Sequence, residues 1–433
     1  MSQASPKSNV AGNTNQRVSS MAADLTGSEI LKIAAEIRTL SARGVVICNL
    51  TVGDFTPAQF RIPRLLEDEI QHAVSAGETN YPPSDGMLSL RRAVQEFYAR
   101  WLKLEYPIES ILITGGSRPG IYATYRAVVD PGDVVVYPTP SWNNNHYCHL
   151  VGADGVPVDC GAETGFLPTR KKLENAVRGA RLLALNSPLN PTGTAFSPEI
   201  LEEICDLVLE ENARRPGERP LYLLYDQVYW MLTFGETRHV NPVTIRPEIA
   251  PYTIFVDGIS KAFAATGIRV GWTIAPTDIS ERMVGFLGHV GAWAPRAEQV
   301  ATAKLLHSTD LINEYHDEMK SGIQARLNAL FTGLKSLQRD GVPVDAVSPM
   351  GAIYLSARFS FQGKRTSDGL VLNSSEDVRR YLLDKARLAI VPFQAFGTEE
   401  DHGWFRLSVG AVSLEEIEEM LPRLKNAYAD LTT

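Results

Sequence analysis

From the end of the segment VVICNLTVGDFTP to about residue 310 the chain alternates short apolar segments with stretches of helical periodicity, and this pattern restricts the possible folds most strongly. It predicts an α/β domain with a largely parallel sheet between helices. The last two apolar segments are too close for a full crossover helix, so we expect that pair to be antiparallel. The predicted strands are 111–114, 134–137, 182–186, 221–225, 253–256 and 270–274, and the helices around them include 91–105, 118–129 and 198–211.

The two ends of the chain predict a smaller α+β domain. A helical pattern precedes the cap Gly44, and the segment VVICNLTVGDFTP indicates a strand that runs into a loop. A long helical stretch at 297–337 leads to predicted strands within 351–359 and 405–410 and to helices at 374–385 and 414–429. The predicted division is a disordered tail at 1–24, an arm and part of the small domain at 25–75, a large domain at 76–320 and a C-terminal small domain at 321–433.

Composition excludes several classes of protein. The formal charge of −8 disfavours a general nucleic-acid binder, which would need a basic face. No apolar run approaches the roughly 20 residues of a membrane helix, and the N-terminal residues lack the apolar core of a secretory signal. The four cysteines have no metal-binding spacing, so we expect reduced thiols, no metal site and a cytoplasmic protein.

Polar clusters follow five of the predicted strands directly. They are GGSR, PTPSW, NSPLNPTG, YDQVY and ISK. In an open parallel sheet, ligands bind at the carboxyl ends of the strands. The sequence therefore predicts one ligand site at this edge of the sheet.

Lys261 is the central candidate in that site. Its amine follows a buried strand, with Ser260 beside it and Arg269 eight residues later. This arrangement suits a lysine that bonds a carbonyl next to a phosphate held by a hydroxyl and a guanidinium. A lone lysine after a strand is more often a surface residue, so the neighbouring motifs decide the interpretation.

Further candidates match the parts of a planar, phosphorylated cofactor. Asp226 ends an apolar strand, where a buried carboxylate would keep a pyridine nitrogen protonated. Tyr229 and Asn190 are placed to hydrogen-bond a phenolic oxygen, although core packing and a turn are ordinary roles for such residues. The Gly116–Ser117 pair opens a helix whose free N–H groups would bind phosphate, and Trp142 would lie against a ring.

Taken in order, these motifs resemble those of the aspartate aminotransferase superfamily, the fold-type I pyridoxal-phosphate enzymes. The resemblance covers about residue 28 to the C-terminus, and its most specific parts are NPTG, the SK-x7-R segment and the late FRLS. It implies pyridoxal 5′-phosphate as cofactor, bound by the large domain. In that domain a mostly parallel sheet of the seven-stranded type would lie between helices. It also implies a homodimer with a shared active site, no nucleic-acid or membrane partner, and amino acid and 2-oxo acid substrates.

The resemblance assigns a role to each candidate. Lys261 would form the Schiff base and act as general base, with Asp226 at the ring nitrogen. Asn190 and Tyr229 would bond the phenolic oxygen, and Trp142 would stack on the ring. The predicted phosphate ligands are Gly116, Ser117, Ser260, Arg269 and Tyr81 of the other subunit, and the predicted substrate contacts are Arg406, Gly53, Asn190 and Trp142.

The implied activity is a ping-pong transamination between an amino acid and a 2-oxo acid. The alternatives are another pyridoxal-phosphate reaction on the same residues, such as a β-lyase, decarboxylase or aminocyclopropane-type synthase, or a non-catalytic regulator. The sequence does not identify the side chain of the substrate, because the segment FLGHVGAWAP lacks the arginine that dicarboxylate-specific relatives carry there. Arg118, Arg296 and Arg61 are candidate substitutes, the polar segment 143–146 is a candidate pocket wall, and Asp257 departs from the commoner Ser-x-Ser-Lys pattern.

Overall fold

The computed structural model describes residues 17–25, 27 and 29–432. Within them, seven strands form one sheet in the order β2-β8-β7-β6-β5-β3-β4. Neighbouring strands from β7 to β4 are parallel, whereas β8 is antiparallel to both β7 and β2. These strands are β2 (Ile111–Thr114), β3 (Val134–Thr139), β4 (Asp154–Asp159), β5 (Leu182–Asn186), β6 (Tyr222–Asp226), β7 (Thr253–Gly258) and β8 (Gly271–Ile274).

The sheet confirms the predicted α/β class and the antiparallel pairing of the last two predicted strands. Its central strands are almost completely buried, since helices cover both faces, as is usual for parallel sheets. The register places Asn186, Asp226 and Val256 side by side on three adjacent strands. The polar segments that follow these strands therefore begin at one common edge.

The smaller sheet has the order β12-β13-β10-β9 and is antiparallel. A separate two-stranded pairing joins the N-terminal β1 to the C-terminal β11 in parallel, so the two ends of the chain contribute to one region. The strands are β1 (Cys48–Asn49), β9 (Val344–Ala346), β10 (Tyr354–Phe359), β11 (Leu388–Ala389), β12 (Val391–Pro392) and β13 (Trp404–Ser408).

Helices of the described residues surround both sheets, and none of them is long and apolar enough to cross a bilayer. α5 and α11 pack together on one face of the large sheet, and α13 packs against β9 and α15. The helices are α1 (Ser20–Asp24), α2 (Glu29–Ala42), α3 (Arg64–Ser75), α4 (Leu88–Leu102), α5 (Ser117–Val128), α6 (Asn144–Val151), α7 (Arg170–Leu173), α8 (Pro198–Arg214), α9 (Pro242–Ile245), α10 (Ile259–Ala262), α11 (Thr277–Val290), α12 (Arg296–His307), α13 (Thr309–Arg339), α14 (Ser375–Lys385) and α15 (Leu414–Ala429).

Several details differ from the sequence expectations, among them strand β4, which was not predicted. The helical stretch 297–337 is two helices, because Ser308 leaves helical geometry at φ −92° and ψ 69°. The strand expected within 45–57 is only two residues long. Most of the predicted disordered tail lies outside the described residues, but the part that is described contains the short helix α1.

Candidate active site

A cavity of about 550 Å³ opens at the carboxyl ends of the parallel strands, where the sequence predicted a site. Helix α2 contributes Ile30, Leu31 and Ala34 to its wall, so the N-terminal segment closes one side. Ten predicted site residues line it: Gly53, Ser117, Trp142, Asn190, Asp226, Tyr229, Ser260, Lys261, Arg269 and Arg406.

The Lys261 amine lies inside this cavity, at the start of the short helix after β7. Its Nζ atom donates a 2.7 Å hydrogen bond to the carbonyl oxygen of Gly53. Burial lowers the pKa of Lys261 to about 8, and the positive charges of Arg406, Arg118 and Arg269 act in the same direction. About one in ten of these amines is therefore neutral, and nucleophilic, at pH 7, which is far more than for an ordinary lysine.

The Asp226 carboxylate ends β6 with little support from the protein. Its one hydrogen bond among the described residues comes from the backbone N–H of Val228, at 3.1 Å. Burial raises the pKa of Asp226 to about 7, while that hydrogen bond and the charge of Lys261 act against the rise. A buried carboxylate with so few donors is favourable only when another cation or N–H donor enters the cavity.

Arg406 lies on β13 and reaches the cavity from the smaller sheet. Its Nη2 atom donates to the carbonyl oxygen of Thr51 at 2.6 Å, and its Nη1 atom donates to Asn190 Oδ1 at 3.2 Å. The guanidinium lies between the rings of Tyr354 and Phe396, at 4.8 and 4.9 Å from their centroids. No carboxylate of the described residues pairs with it, and its Nε atom has no hydrogen-bond partner there. This buried cation is therefore available to an anionic ligand.

The GGSR segment and Arg269 form one wall. Gly116 has φ +90°, and a Cβ atom at this position would collide with the Arg269 guanidinium. Arg269 donates to the carbonyl oxygens of Thr266 and Gly115, at 2.7 and 2.9 Å, which fixes the guanidinium beside the first turn of α5. Ser117 begins that helix, so its free N–H groups and the nearby cation together suit a phosphate.

Three arginines were candidates to replace the arginine that binds the substrate side chain in dicarboxylate-specific relatives, and their surroundings differ. Arg61 pairs with Glu67, and Arg296 pairs with Glu78, both outside the cavity. Arg118 lines the cavity, lies over the Trp142 ring at 5.2 Å from its centroid, and has no acidic partner among the described residues. Arg118 is thus the candidate that the fold brings to the site.

The remaining predicted residues occupy other environments. Tyr229 donates or accepts a 2.6 Å hydrogen bond with Tyr354, and both phenols are buried. In the polar segment 143–146, only Asn144 lines the cavity, where its Oδ1 atom accepts a hydrogen bond from the Tyr125 hydroxyl.

Two predicted residues lie outside the cavity. Tyr81 is 81% exposed and packs its ring on Trp293, away from the cavity. Asp257 is buried beneath the site, where it accepts hydrogen bonds from Tyr98 and Trp230.

Sequence reasoning missed several lining residues. Thr51 and Asp54 belong to the loop after β1, and Tyr354 begins β10. Gly53 of the same loop was predicted from the family resemblance, but none of the five polar clusters that follow predicted strands contains Thr51, Asp54 or Tyr354. They become site residues only through the packing of the N- and C-terminal segments against the large sheet.

Comparison with known proteins agrees with this geometry. The sequence profile of the family described as Aminotransferase class I and II matches residues 45–424. An aspartate aminotransferase of Rhizobium meliloti (strain 1021) is 30% identical over 92% of this chain and 93% of its own length. An aspartate aminotransferase of Bacillus sp. (strain YM-2) is 28% identical over 92% and 96%.

Solved structures give the same result. The aspartate aminotransferase of Rhizobium meliloti superposes with a TM-score of 0.87 at 29% identity, covering 96% of this chain and 99% of the other. The Thermus thermophilus aspartate aminotransferase with maleate has a TM-score of 0.84 at 26% identity, covering 95% and 99%. The resemblance inferred from the sequence motifs is therefore confirmed, as is the fold.

Proposed function

This chain belongs to the class I and II aminotransferase family and is a pyridoxal-phosphate-dependent aminotransferase, and we propose that the cavity around Lys261 is its active site. The observation that carries this assignment is the set of unsatisfied charged groups in the cavity. Asp226 and Arg406 are buried there without a salt-bridge partner among the described residues, and Lys261 presents an amine with a lowered pKa. Unpaired charges of this kind are costly unless a ligand completes them.

The residues present fit pyridoxal 5′-phosphate. The bound cofactor supplies a protonated ring that accepts electron density from the substrate Cα. Asp226 would hold the ring nitrogen, Trp142 would cover one ring face, and Asn190 and Tyr229 would bond the phenolic oxygen. The phosphate would occupy the wall formed by Gly116, Ser117, Ser260 and Arg269, with the partner subunit contributing its own copy of Tyr81.

Lys261 has two roles in this proposal. Its amine would hold the cofactor covalently at the cofactor carbonyl in the absence of substrate. Once a substrate amine has displaced it, the free Lys261 amine would accept the proton from the substrate Cα. The pKa of about 8 supports this role, since a general base is most effective when its pKa is close to the operating pH.

Arg406 would bind the α-carboxylate of both substrates. It is held in place by Thr51 and Asn190 and by the rings of Tyr354 and Phe396, so its orientation is fixed before binding. Gly53 lies close enough for its backbone to contact the same carboxylate. Preorganisation of this kind orients the substrate Cα–H bond relative to the Lys261 amine.

We propose that the substrates are dicarboxylic. Once the phosphate faces Arg269 and the α-carboxylate faces Arg406, Arg118 is the remaining cavity arginine without an acidic partner among the described residues. A second carboxylate, on the substrate side chain, would complete it. Several relatives are aspartate aminotransferases, which supports the same substrate class.

The test compares donors in the wild-type enzyme and in Arg118→Gln. Aspartate, glutamate, alanine, leucine and phenylalanine are each supplied with 2-oxoglutarate or pyruvate. Loss of a charge-assisted contact predicts a kcat/KM for aspartate about 10- to 100-fold lower in the variant, with little change for apolar donors. The matched control is Arg178→Gln, an exposed arginine outside the cavity.

Two outcomes would contradict the proposal. Equal loss for acidic and apolar donors in Arg118→Gln would contradict the proposed contact between Arg118 and a substrate side chain, without contradicting the assignment as an aminotransferase. Release of ammonia or a cyclic product from the donor without a 2-oxo acid would instead favour the lyase or synthase chemistry.

We also propose that the enzyme is a cytoplasmic homodimer. Tyr81 and the aromatic ring of Trp293 lie together outside the cavity, and such a large exposed aromatic residue suits a subunit interface. The four free cysteines support a reducing compartment.

Light scattering tests the dimer. Recovery of activity on mixing Tyr81→Ala with Lys261→Ala protein tests whether the two subunits share the active site. A monomer at working concentration would contradict both the dimer and the shared site.

A further inference from the structure

A second cavity, of about 370 Å³, lies between the β4 edge of the large sheet and the smaller sheet. It shares no lining residue with the active-site cavity. Its volume is within the range of small-molecule sites, and nothing in the proposed reaction uses it. We call it the edge cavity.

Three aromatic rings form the floor of the edge cavity. Phe166 meets Phe393 at 5.1 Å and Trp404 at 5.2 Å between ring centroids, both edge to face. These rings come from three separate segments, so the floor is fixed by tertiary packing rather than by one loop. Phe166 and Phe393 are each only 2% exposed, so the partly exposed Trp404 ring presents more of the apolar surface that a hydrocarbon group of a ligand would contact.

The rim carries charges of both signs. Arg358 donates through Nε to the carbonyl oxygen of His402 at 2.9 Å, and its two terminal nitrogens have no hydrogen bond among the described residues. Lys172 also lies on the rim, 3.7 Å from Glu163, and the Glu400 carboxylate lies 2.7 Å from the Nε2 atom of His402. A phosphate would be repelled by these carboxylates, and a purely apolar ligand would leave the cations unused.

Two side chains of the wall have unused acceptors. Gln394 and Thr398 line the edge cavity, and their Oε1 and Oγ1 atoms are buried without a hydrogen-bond partner among the described residues. Buried polar atoms without partners are unfavourable, and a donor group of a ligand would satisfy them. The Gln394 amide is oriented by its Nε2 atom, which donates to the carbonyl oxygen of Glu400 at 3.1 Å.

We propose that the edge cavity binds a free α-amino acid with an aromatic or branched apolar side chain. The carboxylate of the ligand pairs with Arg358, the ammonium group donates to Gln394 and Glu400, and the side chain lies on the aromatic floor. The combination of an apolar floor with a rim of both charges matches a zwitterion with an apolar side chain. This inference does not depend on the substrate class proposed for the active site.

The edge cavity is connected to the active site by one turn of 3₁₀ helix, Phe393–Phe396. Its first residue belongs to the cavity floor, and its last residue packs on Trp142 at 6.2 Å and under Arg406 at 4.9 Å. The carbonyl oxygen of Phe396 also accepts the Ser141 N–H at 2.9 Å. A bound amino acid that holds this turn would therefore alter the KM for the amino donor through Trp142 and Arg406.

The binding test uses holoenzyme reduced with borohydride, which cannot transaminate. Calorimetric titration with L-phenylalanine is expected to show saturable binding at one site per chain. 3-Phenylpropionate lacks the ammonium group and phenethylamine lacks the carboxylate, so each is expected to bind at least about tenfold weaker. Arg358→Met and Gln394→Leu are expected to weaken L-phenylalanine binding to a similar degree, with Arg178→Met as the matched control.

The outcomes separate the edge cavity from the active site. Absence of saturable binding up to about 10 mM would overturn the proposal. So would binding that is lost in Arg406→Ala but retained in Arg358→Met, since that ligand would occupy the active site. Melting temperatures of all variants check that they are folded, and an unchanged KM for the donor with L-phenylalanine bound would overturn the connection through the turn.

Discussion

The Nζ atom of Lys261 and the carbonyl oxygen of Gly53 are joined by a hydrogen bond of 2.7 Å across 208 residues of sequence. One partner follows β7 of the large sheet, and the other lies in the loop after β1. Gly53 also packs against Tyr354 and Arg406. The proposed base and the proposed carboxylate site therefore share one loop, whose position controls both.

Substitution of Gly53 by alanine tests this relationship. A Cβ atom there would lie 3.1 Å from Tyr354 Oη and 3.3 Å from Arg406 Nη1, which is too close without a shift of both groups. We expect the KM for the amino donor to rise roughly tenfold, with a smaller change in kcat, because the displaced guanidinium binds both substrate and transition state less well. Gly285→Ala is the control, since a Cβ atom at that position meets nothing within 4 Å. An unchanged KM in Gly53→Ala would contradict the contact.

The lowered pKa of Lys261 predicts how fast apoenzyme captures its cofactor at different pH values. Bond formation to the cofactor carbonyl requires the neutral amine. At pH 7.5 a pKa of about 8 leaves about a quarter of the amines neutral, against about one in a thousand for a lysine at 10.5. The capture rate, followed by absorbance, should rise with pH through about 8 and then level off. A rate that continues to rise towards pH 10 would show an ordinary lysine.

The sequence predicted the large sheet well because its central strands are continuous apolar runs with polar clusters behind them. Strand β4 was missed because its sequence, DGVPVD, is an exposed edge strand with Gly, Pro and two Asp residues. The same reasoning explains the site. Lys261, Asp226 and Asn190 follow parallel strands and were predictable, whereas Tyr354 and Thr51 depend on the packing of distant segments, which no local pattern encodes.

Replacement of Asp226 separates cofactor binding from chemistry. In Asp226→Ala the phosphate wall and the Lys261 amine remain, so the protein should still bind the cofactor and show its absorbance. Transamination should fall by about 10²–10⁴, because the ring nitrogen is no longer kept protonated by a buried carboxylate. Lys261→Ala should behave differently, with loss of both the bound-cofactor absorbance and the activity. Full activity in Asp226→Ala would contradict the proposed ring contact.

Asp257 predicts a pH dependence of stability that differs from that of an ordinary carboxylate. Burial raises its pKa from 3.8 to about 8, and the charge of Asp226 acts in the same direction, while hydrogen bonds from Gly258, Tyr98 and Trp230 oppose it. Since the folded protein binds this proton more tightly than the unfolded chain, the stabilisation is complete below about pH 4 and is lost as the pH rises through 8.

The measurement is urea unfolding of apoenzyme between pH 5 and 8, for wild type and Asp257→Asn. Burial raises the pKa of Asp226 in both proteins, so the difference between their free energies of unfolding isolates the contribution of Asp257. The variant should be less stable at pH 5, because its amide NH₂ group cannot accept hydrogen bonds from the donors that the Asp257 carboxyl group accepts from. Its free energy of unfolding should also fall less steeply with pH, by about 1.4 kcal/mol per pH unit at most. Parallel curves for the two proteins would mean that Asp257 is ionised in the folded state throughout this range.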